Sequence, residues 1–447
     1  MKKYSVGLYT LGCKVAQYET EAISEEFERL GFSVLPFDAV CDAYVINTCT
    51  VTAESDRKCR QIIRRASKIN PNAITLVCGC YSQRNPDEVK KLSGVYAVYG
   101  TCDKLELPSV ALELLKKRDS GEKLDTVTGV RPLDNAEFEK MSIKRASRTR
   151  AYVKIEDGCD SKCTYCAIKE ARGHIRSKAP SDVICEVEEL SRTGIREVVL
   201  VGIEIGAYGR DFSEKYDLAD LILELDRRRS CERVRIGSLA PELVNESFVE
   251  KIKNAKILCP HFHLSVQSGS DKILALMKRR YTSKSALSVI ENIRQNIEGA
   301  QFTTDIMVGF PHESEREFEE TLEFVRRARF LDAHVFAYSR REGTEAYSFP
   351  HQIENGVKEE RSRRVQELKN QIRDEILASL VDNKKEEEAL VETFENGVYT
   401  AHTPSYVEVK IDAENLPCDL CGKTVWVLPV SHNNGVLNCK IINLGDI

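Results

Sequence analysis

The sequence predicts an α/β chain built in three parts: an N-terminal βα sheet domain, a central partial barrel of six βα units, and a small C-terminal β-barrel. Three observations carry this. Strand-length apolar runs alternate with helical periods from residue 5 to about residue 118, six further strand candidates with helical patterns between them start at Ala151, and five short strand runs separated by Gly, Asn and Pro turns fill residues 385–447. A chain of 447 residues is also too long for one ordinary core, which fits two or three domains.

In the first part (1–118), strands are expected at 5–9, 43–47 and 74–78 and helices at 18–30, 55–68 and 103–118. Ligands of such a sheet gather beyond the carboxyl ends of its strands. Cys13, Cys49 and Cys80 each lie just past one strand, so three thiols distant in sequence are expected to meet at one edge. The commoner use of a buried cysteine is as a small apolar side chain, and Cys41, Cys59, Cys78 and Cys102 fit that use. Residues 119–147 show little period and read as a linker. It ends in a basic stretch, Lys140 to Arg150, that is either a phosphate contact or a solvated segment.

The central domain is expected over 148–380, with strands at 152–155, 197–201, 233–236, 261–266, 302–308 and 334–338. Barrel enzymes place their chemistry at the carboxyl ends of the strands. The first such end is GCDSKCTYCAIKEARGHIRS, which sets Cys159, Cys163 and Cys166 on one loop. A C-x3-C-x2-C triplet can hold three irons of a [4Fe–4S] cluster and leave the fourth open. The amino and carboxylate groups of S-adenosylmethionine (SAM) suit that open iron, and one electron then cleaves the sulfonium to a 5′-deoxyadenosyl radical. The alternative is a zinc knuckle, which needs four closed ligands and has His174 as its one nearby candidate for the fourth.

Later strand ends carry Gly202-Ile203-Glu204, Gly237-Ser238-Leu239-Ala240-Pro241, Gln267-Ser268-Gly269-Ser270 and Gly309-Phe310-Pro311. Each is an ordinary turn signal when taken alone. Glu204 can accept from the ammonium of SAM. Tyr165, between two thiols, lies against the adenine or anchors the loop. Arg172 and Arg176 suit a carboxylate or a phosphate.

Residues 359–380 read as a long charged helix, a solvated connector rather than an RNA track. The five C-terminal runs, at 389–393, 398–402, 406–411, 424–430 and 436–442, suggest a closed barrel of a kind that can bind oligonucleotides. Tyr399, Tyr406 and Trp426 either stack on bases or fill its core. Cys418 and Cys421 form a C-x2-C too isolated to predict zinc.

Composition excludes several classes. The sequence contains no run of 18 or more apolar residues, and its first ten residues lack the apolar core of a signal peptide. A cytoplasmic protein without a membrane partner is expected, in which sixteen cysteines mean metal ligands and reduced thiols rather than disulfides. The net charge of −5 gives no global basic field, so any nucleic-acid contact must be local.

The cysteine loop resembles that of the radical-SAM superfamily. With LGCKVAQYETEAI, VINTCTVTAESDRKCRQ, CGCYSQ and the strand-end series, nearly the whole chain is similar to the radical-SAM methylthiotransferase family. The TLGCKV, GIEIGAYG and SLAP segments look most like its threonylcarbamoyladenosine type. That resemblance implies two [4Fe–4S] clusters, a radical-SAM one on Cys159, Cys163 and Cys166 and an auxiliary one on Cys13, Cys49 and Cys80. It implies SAM contacts from Ser238, Gln267 and Gly309, with Glu204, Tyr165 and Arg176 beside them, and a TRAM-like terminal barrel.

The reaction it implies is methylthio transfer to C2 of N6-threonylcarbamoyladenosine at position 37 of tRNA, with one SAM for methylation and one for the radical. An electron donor and a sulfur donor are implied as partners. Ala16, Lys169 and Ala240 depart from the residues usual in the family, which are asparagine, proline and an acid. An RNA target predicts contacts from Arg57 to Lys68, a helix that equally reads as a solvated face, from Arg148 to Lys154 and from the terminal barrel. The rival substrates are isopentenyladenosine in tRNA and a ribosomal-protein aspartate. The rival class is a non-catalytic iron–sulfur or zinc RNA-binding protein.

Overall fold

The computed structural model describes residues 3–413 and 419–444. The first domain is formed by β1 (Ser5–Thr10), α1 (Lys14–Arg29), β2 (Ser33–Leu35), β3 (Ala43–Thr48), α2 (Ala53–Ile69), β4 (Ile74–Gly79), α3 (Cys80–Arg84), α4 (Pro86–Lys90), β5 (Val95–Tyr99), α5 (Leu107–Asp119) and β6 (Val127–Gly129). Its strands form one parallel sheet in the order β2-β1-β3-β4-β5-β6. Central β3 and β4 are buried along their whole length, as apolar runs covered on both faces must be.

Three strands go beyond the expected set. β2 and β6 are three-residue edge strands, too short to show a period, and β6 lies inside the stretch expected to be a linker. α1 starts at Lys14 rather than at 18 because Cys13, in extended conformation, is its N-cap. The basic stretch after β6 is held along the acidic face of α1. The backbone amides of Lys144 and Arg145 donate to Glu25, Ser147 donates to Glu21, and Arg145 pairs with Glu28. The backbone of this stretch is thus fixed on α1, while the side chains of Lys140, Lys144 and Arg148 stay exposed.

The central domain holds β7 (Arg150–Lys154), β8 (Glu156–Asp157), α6 (Ile168–Arg172), β9 (Arg176–Ser177), α7 (Pro180–Arg192), β10 (Glu197–Val201), α8 (Leu218–Arg228), β11 (Arg233–Ile236), β12 (Ser238–Leu239), α9 (Glu246–Ile252), β13 (His261–Gln267), α10 (Asp271–Leu276), α11 (Ser283–Asn296), β14 (Gln301–Val308), α12 (Glu315–Ala328) and β15 (Asp332–Ala337). β7, β10 and β11 are paired in parallel, as are β12, β13, β14 and β15. β11 and β12 are one chain run interrupted at Gly237, so six parallel strands follow one another as an open partial barrel.

The two faces of this sheet differ. Alternate residues such as Ala151, Val153, Val198, Leu200, Phe262, Leu264, Phe302 and Ile306 enter the largest core with the helix layer. Their neighbours Arg150, Tyr152, Lys154, Glu197, Arg235, His261, His263, Thr303 and Asp305 take the other face. Parallel sheets are usually apolar on both faces, so a polar inner face lines a chamber rather than a second core.

α13 (Asn355–Asn383) then crosses to a closed barrel of β16 (Glu387–Glu395), β17 (Val398–His402), β18 (Glu408–Asp412), β19 (Thr424–Asn433) and β20 (Val436–Asn443), in the order β16-β17-β18-β20-β19. α13 is not the expected solvated connector. It packs on β15 and β19, burying Val365, Ile372 and Leu377, and Arg361 beneath it pairs with Glu313 at 2.8 Å. Among the described residues no helix is long and apolar enough to cross a membrane.

Candidate active site

Both thiol triads sit where a glycine lets the backbone turn back on itself. Gly79, at φ +103°, directly precedes Cys80, and a Cβ there would lie 2.4 Å from the carbonyl oxygen of Thr48. Gly158, at φ +89°, directly precedes Cys159, and its Cβ would lie 1.9 Å from the carbonyl oxygen of His174. Only glycine fits such a position without strain.

Cys13, Cys49 and Cys80 come from the carboxyl ends of β1, β3 and β4 and feel one another's charge. Burial pushes the Cys49 thiol up to about 11, with Cys80 and Cys13 adding to it. Burial also raises Cys80, against the pull of Arg172. Cys41, Cys59, Cys78 and Cys102 lie in the interior, as expected.

The second triad lies on a loop whose base is closed by β8 pairing antiparallel with β9. Its middle is pinned across the mouth of the barrel by Thr164. The Thr164 amide donates to the carbonyl of Met277, and its own carbonyl accepts from the amide of Ala346. Cys166 is exposed at the end of the loop, while burial together with Glu204 raises Cys159. Cys159 Sγ lies 3.3 Å from Glu204 Oε2, and Ser161 Oγ donates to Glu204 Oε1 at 2.9 Å. His174 pairs with Asp160 at 2.7 Å.

Three arginines tie the triads to their surroundings. Arg172 Nε donates to Cys80 Sγ at 3.2 Å, and its other nitrogens pair with Glu19 and Asp157. Arg279 Nη1 reaches Cys163 Sγ at 3.5 Å, backed by Glu242. Arg341, beside Cys166, bonds the carbonyl and hydroxyl of Thr50 and pairs with Asp56 at 2.9 Å, so the barrel exit clasps the loop after Cys49. Arg279, Arg341 and Glu242 were not foreseen. The one signal for Arg279 was its position just after α10, in a run of basic residues that local reading assigns to solvent.

Beneath Cys80, four buried cations, Lys104, Lys154, Arg172 and Arg176, meet two buried carboxylates, Glu19 and Asp157. Lys154 donates to Glu19 at 2.9 Å and to Asp157 at 2.6 Å. Burial disfavours the Glu19 anion, but Arg172, Lys104 and Lys154 hold it well below the usual carboxylate range. The surplus of positive charge behind Cys80 suits thiolates, and a metal cluster binds thiols as thiolates.

Several expected contacts take other roles. Arg176 bonds the carbonyls of Arg172 and His174 and faces Asp157, bracing the base of the loop, with its Nε without a hydrogen-bond partner among the described residues. Gly309 donates its amide to Glu313, and Lys358 of α13 lies over its α-carbon, so its open face is already filled. Tyr165 packs with Phe310, Ile273 and Met277, the anchoring alternative. Ser238 is exposed, and Gln267 ends β13 at φ +69°, a strained conformation of the kind found at ligand sites.

The expected RNA contacts are also partly spent. Lys154 is buried in the charge cluster, Arg57 pairs with Glu54, and Arg65 with Asp38. Tyr399 is core, whereas Trp426 is exposed. Tyr406 stacks between His261 and His402, with Arg235 over its ring, and joins the terminal barrel to the foot of the central one. Cys418 lies outside the described residues.

Among the described residues, no group of three His, Cys, Asp or Glu side chains is placed to hold a metal ion as the thiols stand. The donor chemistry nonetheless fits iron–sulfur clusters: three thiols and an adjacent guanidinium in each triad. Residues 153–325 match the radical SAM superfamily, and residues 5–100 match "Uncharacterized protein family UPF0004".

A solved radical S-adenosylmethionine methyltransferase, TsrM from Kitasatospora setae, shares the fold with a TM-score of 0.54 at 13% identity, over 89% of this chain and 77% of its own. An open parallel barrel with three thiols beyond its first strand, matched to that superfamily, defines a radical-SAM enzyme, with SAM and a [4Fe–4S] cluster as cofactors.

The threonylcarbamoyladenosine tRNA methylthiotransferase MtaB of Bacillus subtilis is 36% identical, over 95% of this chain and 93% of its own length. The tRNA-2-methylthio-N(6)-dimethylallyladenosine synthase of Thermoanaerobacter pseudethanolicus is 35% identical, over 81% and 77%. The chain belongs to the radical-SAM methylthiotransferase family.

Proposed function

We propose that this enzyme adds a methylthio group to C2 of N6-threonylcarbamoyladenosine at position 37 of tRNA, using two [4Fe–4S] clusters. The observation that carries the reading is the contact of Arg172, on the helix that follows Cys166, with Cys80 of the other triad. In this reading that contact joins two three-thiol sites in neighbouring domains at one interface. One cluster suffices to cleave SAM, so a second site needs a task of its own, and sulfur supply is the task that methylthio transfer requires. The substrate follows the relative from Bacillus subtilis, matched over 95% of this chain and 93% of its own length.

In this reading Cys159, Cys163 and Cys166 hold the radical-SAM cluster, and Cys13, Cys49 and Cys80 hold the auxiliary one. When bound, these groups supply one-electron cleavage of SAM, hydrogen abstraction and the transferred sulfur. The protein's own share is positional. Glu204 at Cys159 and the strained Gln267 at the end of β13 orient the SAM amino acid and nucleoside, Ser238 lines the same mouth, and Tyr165 fixes the loop. A tRNA anticodon-loop adenosine, an electron donor and a sulfur donor are the partners.

The test is anaerobic reconstitution of the full chain with iron and sulfide counting, followed by SAM cleavage and transfer on threonylcarbamoyladenosine tRNA. About eight irons are expected for two clusters, and about four in either triad variant. Cys163→Ala should abolish SAM cleavage, while Cys80→Ala should retain cleavage and lose transfer. About four irons in the unaltered protein, or transfer by both variants, overturns the two-cluster division.

A further inference from the structure

Lys14 is the first residue of α1 and directly follows Cys13. A cation in the first turn opposes the helix dipole, and this turn holds no acid to offset it. Such a placement costs stability unless an anion comes to it. Among the described residues the side chain makes no ion pair, although the chain has 70 acids for 65 lysines and arginines. Its side chain keeps an exposed surface, yet partial enclosure and the Arg235 and Arg150 cations lower its pKa against the pull of Asp305 and Glu197, and those four groups all lie on the polar inner face of the barrel. Val15 beside it packs on Val199 and Val201 of that face. Lys14 therefore carries a free ammonium from the first domain into the chamber of the second.

The nearby charges do not satisfy it. Glu197 Oε1 is taken by Arg235 and Arg150, each at 2.7 Å, while its buried Oε2 has no hydrogen-bond partner among the described residues, and Asp305 pairs with His263 at 3.1 Å and His334 at 3.4 Å. On the same face Arg235, 2% exposed, has Nη2 without a hydrogen-bond partner among the described residues. A cleft lined by Arg148, Arg150, Tyr152, His402 and Tyr406, with Glu392 paired to Arg150 and His402, shares Arg150 with that face. The chamber thus offers two unsatisfied cationic donors and an entrance with aromatic walls. An anionic group attached to a flat ring fits that chemistry.

We propose that Lys14, with Arg235 behind it, binds the carboxylate of the substrate's threonylcarbamoyl side chain and so selects it over an uncharged N6 substituent. The inference rests on the substrate reading above. It is consistent with the geometry of adenine, in which C2 and the carbon bearing the N6 group flank the same ring nitrogen. A cation one residue from Cys13 therefore holds the side chain while C2 faces the triad of Cys13. A dimethylallyl group has no charge to offer, and its entry would leave Lys14 and Arg235 unpaired, which costs affinity.

The test measures equilibrium binding of the reconstituted full-length enzyme to three anticodon stem-loops at fixed ionic strength. They carry the threonylcarbamoyl group, the same group with its carboxylate amidated, and a dimethylallyl group. Unaltered enzyme should bind the acid about a hundredfold more tightly than the amide, Lys14→Met should reduce that ratio to near one, and Lys14→Arg should keep most of it.

An unchanged ratio in Lys14→Met would remove Lys14 from the substrate site and leave the substrate reading intact. Equal weakening on all three RNAs would make Lys14 a backbone-phosphate contact and overturn the assignment. No preference of the unaltered enzyme for the acid would sink both the substrate reading and this inference. Iron and sulfide are counted in each variant because Lys14 adjoins Cys13; if Lys14→Met loads poorly, Lys14→Gln takes its place in the same comparison.

Discussion

Arg172 Nε lies 3.2 Å from Cys80 Sγ, and the same guanidinium pairs with Glu19 at 2.5 Å. One side chain thus links a thiol of the first domain, a buried carboxylate of α1 and the loop of the second triad. Removing it breaks its buried pairs with Glu19 and Asp157, a change that costs about 3 kcal/mol. Arg172→Met is expected to lower the unfolding midpoint by several degrees and to lose part of the iron. Arg172→Lys should recover stability only in part, because an ammonium cannot reach a thiol and two carboxylates in one plane. Thermal unfolding with parallel iron counts checks both.

Gly158 allows no side chain, since a Cβ would lie 1.9 Å from the carbonyl oxygen of His174. Gly158→Ala must move the base of the loop and is expected to cost about 2 kcal/mol or more. Gly194→Ala is the control: it has a similar positive φ but nothing within 4 Å of its Cβ, so it carries only the backbone strain. Iron retention after gel filtration should fall in the first variant far more than in the second.

Glu197 gives the pH prediction. Burial pushes its carboxyl up, but Arg235 and Arg150 outweigh burial and hold it at about 2, below its ordinary 4.5. A depressed carboxylate stabilises the fold above the ordinary value, and that stability is lost as pH falls from about 4.5 towards about 2. The shift corresponds to about 3 kcal/mol. Arg150 also pairs with Glu392 and Arg233 with Glu388, so acid should loosen the contact between central and terminal barrels. Trp426, the single tryptophan, lies in the groove between them and reports the change by fluorescence. Glu197→Gln should flatten that acid transition and lower stability at neutral pH.

Tyr406 fills the same junction, with ring centroids 4.7 Å from His261 and 4.8 Å from His402. Tyr406→Ala should cost about 2 kcal/mol of docking. Limited proteolysis should then cut between α13 and β16 sooner, while SAM cleavage at the opposite end of the central barrel persists. Rapid cleavage of the unaltered protein at that site would show that Tyr406 does not secure the junction.

What local sequence determined is considerable. The six central strands, the terminal barrel, the strand-end position of Cys13, Cys49 and Cys80, and the single-loop triad all follow from periods and spacings, because each depends on residues near one another in the chain. The short edge strands at Ser33–Leu35 and Val127–Gly129 escaped, since three residues show no period.

The tertiary structure decided where charge goes. Arg172 and Cys80 are 92 residues apart, Lys154 and Glu19 135, and Arg341 and Thr50 291. No local pattern tells a guanidinium that will face SAM from one that will brace a loop, as Arg176 does. Nor could it show that Lys358 would cover Gly309 or that Lys14 would enter another domain's chamber unpaired. A long charged side chain takes its role from the partners that folding brings within a few ångströms, and those partners come from other domains.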